Sequence, residues 1–71
     1  MRVRISEPEL LPELVDFLRT RADLVVEQLA EDEIDAGLIG SYSDEAQGME
    51  LELHLRAWQS AHPGVEFEIA N

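Results

Sequence analysis

The 71-residue sequence contains no cysteine and no lysine. Without cysteine there is neither a disulfide framework nor a thiolate metal site, so the stabilising devices of small secreted proteins are missing. Aromatic residues are scarce at 6%, with one tryptophan, one tyrosine and two phenylalanines. Uninterrupted apolar runs last only a few residues, far short of the roughly 20 that cross a bilayer. The start, Met1-Arg2-Val3-Arg4-Ile5, runs into Ser6-Glu7-Pro8-Glu9 rather than into an apolar stretch, so it is not read as a signal peptide. The sequence-based expectation is a cytoplasmic protein without a membrane segment.

Positive charge is also in short supply. Sixteen acidic residues face five arginines, for a net charge of −11. Such a field repels nucleic-acid backbones, membrane surfaces and free nucleotides, and attracts cations and basic protein surfaces. Hydrophobic residues nevertheless make up 45% of the chain, too many for a disordered acidic tail. We therefore expect a single acidic α+β domain over residues 1–71. A chain of this length buries only about 60% of its unfolded surface, which makes self-association a ready source of extra stability.

Apolar periodicity organises the chain. Arg2-Val3-Arg4-Ile5 alternates as a strand with Val3 and Ile5 inward. Ser6-Glu7-Pro8-Glu9 has the spacing of a capping box, and Leu10, Leu14, Phe17 and Leu18 then recur at helical spacing, widened by Leu11 and Val15. Pro12 predicts either a loose first turn or a regular helix that begins near Leu11. Residues 23–29 and 34–39 read as two antiparallel strands joined by a polar hairpin, Ala30-Glu31-Asp32-Glu33. Ser43 or Asp44 can cap a second helix. Its body is ambiguous, since Met49, Leu51, Leu53 and Leu55 alternate like a strand while the composition favours helix. We read helix, with Ala46, Met49, Leu53 and Ala57 on one apolar arc and Leu51, Leu55 and Trp58 on the other. The competing reading makes 49–55 a strand in a mostly β meander. His62-Pro63-Gly64 ends the helix, and Val65 to Ile69 alternates as a last strand.

Strand, helix, strand, strand, helix, strand is the order of a ferredoxin-like βαββαβ sandwich, a four-stranded antiparallel sheet with two helices on one face. The first and last strands are neighbours in that layout, and we expect Arg2 and Arg4 to lie opposite Glu66 and Glu68.

No group of residues forms a convincing catalytic, cofactor or metal site. Glu50 and His54, four apart on the second helix, supply two metal donors without a third. Glu31, Asp32, Glu33 and Asp35 lack the spacing and turn glycine of a calcium loop and read as a solvated hairpin tip. Gly40-Ser41-Tyr42-Ser43 precedes a helix, but Asp44-Glu45 already occupy the place an anion would take. The weak pocket candidates are Tyr42, Trp58 and His62, with His62 as the acid or base; the preferred reading makes Trp58 a core anchor and His62 the helix terminator. The expected outward residues, Arg2, Arg4, Glu66 and Glu68, are not the aromatic platform of an RNA-binding sheet.

Phe17-Leu18-Arg19 at the end of the first helix and Trp58-Gln59-Ser60-Ala61-His62-Pro63-Gly64 at the end of the second resemble short actinobacterial-type proteins with this layout, for which no activity is assigned. The topology is also similar to that of small regulatory ACT-type domains, but the glycine-bearing turn with which those receive an amino acid is missing. The leading functional expectation is a non-enzymatic interaction or regulatory domain that acts as a homodimer or binds a basic protein. The alternatives are a small ferredoxin-like enzyme with a pocket histidine and an acidic nucleic-acid mimic.

Overall fold

The computed structural model describes residues 1–21, 24–40 and 43–70. It is an α+β fold with strands β1 (Arg2–Ile5), β2 (Leu24–Gln28), β3 (Glu33–Leu38) and β4 (Phe67–Ala70), and helices α1 (Leu11–Arg19) and α2 (Asp44–Ser60). The strands form one open antiparallel sheet in the order β2-β3-β1-β4, compatible with a ferredoxin-like layout. Alternation decides which side chains enter the core: Val3, Ile5, Leu24, Val26, Ile34 and Ala36 are buried, while Arg2, Arg4, Val25, Glu27 and Asp35 are exposed.

Pro12 shapes the entry to α1. A single 3-10 turn, Pro8–Leu10, precedes a regular helix beginning at Leu11, so Pro12 lies in the first turn, where its missing N–H has no intrahelical role. The capping box does not form. Glu7 caps the 3-10 turn without a side-chain bond, and the Ser6 hydroxyl instead accepts the Glu66 N–H at 2.9 Å, with the Ser6 N–H donating to the Glu66 carbonyl at 2.9 Å. A partner sixty residues away has taken the oxygen that the local motif would have used. The buried stripe of α1 is Leu11, Leu14, Val15 and Leu18, with Leu10 and Phe17 half-buried beside it.

Residues 49–55 are helical. Ser43, in an extended conformation, accepts the Ala46 N–H at 3.1 Å and caps α2. The strand-like alternation is produced by two helical arcs lying on opposite sides. Leu51, Leu55 and Trp58 face the core, and Met49 and Leu53 face away, each 64% exposed. Gly48 lies on the inner side against the Met1 side chain, whose Cε would be 3.4 Å from an added Cβ. The helix leaves through a turn from His62 to Val65, closed by the Val65 N–H donating to the His62 carbonyl at 3.2 Å. Pro63 in second place and Gly64 in third at φ +92° are the residues a type II turn requires.

The register differs from the expected charge ladder. Arg4 lies opposite Glu68 on one side and Glu33 on the other, whereas Arg2 lies opposite Ala70 and Asp35. Glu66 falls outside β4, held by Ser6, and the last strand begins at Phe67 rather than Val65. Val65 still enters the core, and its carbonyl accepts Gln59 Nε2 at 2.8 Å. Ile39, placed in β3 by its alternation, lies beyond the strand's end, 60% exposed. One cluster of buried side chains joins the inner face of the sheet to α1 and α2.

Candidate functional site

The end of α2 brings two of the three pocket candidates together. Trp58 and His62, one helical turn apart, stack with ring centroids 4.3 Å apart and planes inclined by 26°. His62 Nδ1 lies 2.8 Å from the Trp58 carbonyl, and Nε2 lies 2.9 Å from Glu13 Oε1 on α1. A carbonyl and a carboxylate are both acceptors, so this setting favours the doubly protonated imidazolium. The Trp58 carbonyl first, and the Glu13 carboxylate second, raise the His62 pKa above its usual 6.5, against a smaller opposing effect of desolvation. Both ring nitrogens lie within hydrogen-bond distance of acceptors, and the ring latches the end of α2 to α1. Trp58 itself is a core anchor, 2% exposed, and its buried Nε1–H has no hydrogen-bond partner among the described residues. Tyr42 lies outside the described residues.

Elsewhere, His54 Nε2 is 4.0 Å from Glu50 Oε2, a long contact on the flank of α2. Among the described residues, no three histidine, aspartate or glutamate side chains are grouped to hold a metal ion. In the hairpin, Asp32 and Glu33 turn toward Arg4, at 3.8 and 3.6 Å. The acidic run is therefore in part a counter-ion to β1. Glu27 and Asp35 lie directly opposite each other on β2 and β3, a repulsive pair. The Met1 ammonium relieves it, donating to Asp35 Oδ1 at 3.0 Å and to the Ala36 carbonyl at 2.7 Å.

The outer face of the sheet is thus a charged surface with Arg2 and Arg4 in the middle, Glu27, Glu33 and Asp35 on one side and Glu68 on the other. A depression of about 260 Å³ lies over Arg2, Arg4, Glu33, Glu68 and Ala70.

A longer groove runs between β4 and α2. Its lower part, about 460 Å³, is lined by Glu52, Arg56, Gln59, Phe67 and Ile69, with Glu66 and Glu68 at the rim. The upper part, about 340 Å³, continues past Glu52 and Ile69 to Met49, Gly48 and Met1. Arg56 is within 3.4 Å of Glu52, so the groove's one arginine is already occupied. Sequence reasoning missed this groove because its two walls are distant in the chain and neither carries a motif.

The arginines are mostly engaged within the molecule. Arg4 and Arg56 pair with carboxylates, Arg19 Nη2 donates to the Val26 carbonyl at 3.3 Å, and the Arg21 guanidinium lies 4.4 Å from the centre of the Phe17 ring. Glu27, Glu31, Glu45, Glu66 and Glu68 are in no ion pair among the described residues. No helix among the described residues is long and apolar enough to cross a membrane. No family model, curated protein or solved structure matches the chain.

Proposed function

We propose that this chain is a non-enzymatic, cytoplasmic interaction module on a ferredoxin-like βαββαβ scaffold, and that its partner is a basic protein surface. The observation that carries the reading is the imbalance just described: four of the five arginines have internal partners, while Glu27, Glu31, Glu45, Glu66 and Glu68 are in no ion pair among the described residues. A surface of that kind draws in and orients a positively charged protein, and disfavours nucleic acid and anionic membrane. The sheet order, with both helices in one core cluster, supports the scaffold. His62, whose two ring nitrogens are both committed, supports a structural over a catalytic role for that residue.

The test is capture on the immobilised chain followed by elution in steps of salt. Basic proteins released as salt rises are expected, since screening weakens exposed charge pairs within a Debye length. Recovery that ignores salt, or of acidic proteins only, contradicts the proposal.

A second reading, self-association as a homodimer, draws on the outer arc of α2. Met49 and Leu53 are large, apolar and each 64% exposed. Two such side chains offer apolar area on the order of 200 Å². A stable interface needs roughly 800 Å² from each partner. That shortfall, with a charge of −11 on each copy, places the homodimer second.

A further inference from the structure

Resting on the preference for basic partners, we infer that the docking site is the free edge of β4 with the groove beside it, and that its occupant is an extended basic segment added as a fifth strand.

The sheet has two edges, β2 and β4, and among the described residues a side chain bonds the outward backbone of β2 only. On β2, the Arg19 guanidinium covers the outward-pointing carbonyl of Val26. On β4, the bond from the Ser6 N–H to the Glu66 carbonyl fixes which backbone groups turn inward. In an antiparallel ladder hydrogen-bonded pairs alternate. Arg4–Glu68 and Arg2–Ala70 are therefore the bonded pairs, and the N–H and C=O of Phe67 and Ile69 point out of the sheet. Among the described residues no strand or side chain covers them.

Pleating dictates what would dock there. On the core side, the added side chains would enter the groove over Phe67 and Ile69, both half-buried, facing Met49 and the stem of Arg56. On the outer side they would lie beside Glu66 and Glu68, exposed and in no ion pair. A complementary strand is thus apolar at one set of alternate positions and basic at the other. That is the pattern of β1, which already solves the same problem on β4's inner side with Val3 and Ile5 inward and Arg4 opposite Glu68. A second copy of β4 is disfavoured in the registers centred on Phe67 or Glu68, which set Glu68 opposite Glu66 or another Glu68, a like-charge contact.

The experiment uses the whole chain, isotope-labelled, with two capped peptides of alternating arginine and valine that have the same charge, one carrying proline at a central valine position. Proline cannot donate to a ladder. The unbroken peptide is expected to slow amide exchange at Phe67 and Ile69 by roughly tenfold or more, to bind roughly tenfold or more tightly than the proline peptide, and to lose affinity to the Glu66→Lys/Glu68→Lys variant. If both peptides bind equally with those amides unmoved, strand addition is overturned while the preference for basic partners stands. Perturbation centred on β2 or the hairpin instead overturns the assignment to β4. If neither peptide binds, both readings fall.

Discussion

His62 stands between two acceptors, and the proton that satisfies both gives a titratable latch. Its folded pKa lies above the unfolded value near 6.5, so the stabilisation is fully present below that value and is lost as pH rises through the raised folded pKa. The difference in thermal midpoint between the wild type and His62→Gln should accordingly be largest near about pH 6 and shrink by about pH 9. A constant difference across that range would mean that the stack on Trp58, not the charge on Glu13, holds the ring. Trp58 makes a separate prediction from its unpartnered Nε1–H. An unsatisfied buried donor costs about 1–3 kcal/mol. Trp58→Phe removes that cost along with some packing, and should unfold in denaturant within about 1 kcal/mol of the wild type, whereas Trp58→Ala should lose about 3–5 kcal/mol. These residue-scale features were only partly legible in the sequence. That Trp58 and His62 share a helical face follows from their spacing, but Glu13 is forty-nine positions from His62, and no local rule announces such a partner.

At the scale of elements, periodicity located β1, β3, β4 and α1, because each buries one face and repeats at 2 or about 3.6 residues, while β2 and α2 were placed by composition. It misled where two causes overlapped. In α2 two apolar arcs interleave and imitate a strand; at Ser6 a long-range bond displaced the local cap. The charge register was half legible, since a strand's pattern fixes its faces but not its slide along a neighbour. The groove beside β4 was not legible at all, because strand order decides which edge is free. The two arcs of α2 separate by mutation. Leu55→Ala, from a fully buried position, should cost about 2–5 kcal/mol, and Leu53→Ala, from an exposed one, no more than about 0.5 kcal/mol. Chemical denaturation reads both. A large loss at Leu53 would show that its arc is covered in solution.

Over the whole molecule, one small core supports a strongly acidic surface, the chain having sixteen carboxylate side chains against five arginines. The core accounts for the inner faces of the sheet and of both helices, and leaves exposed the apolar arc of α2, the edge of β4 and the excess carboxylates. The central claim is that this remaining surface suits a partner of opposite charge better than a second copy. Native mass by light scattering, at low and high salt, tests that claim most directly. A monomer of 8.0 kDa at both is the result predicted, because Met49 and Leu53 alone do not make a dimer interface even when repulsion is screened, and the other exposed large apolar side chains, Val25, Leu29 and Ile39, lie on or just beyond β2 and β3 rather than on α2. A dimer that persists at high salt would contradict it and place Met49 and Leu53 inside a self-association interface.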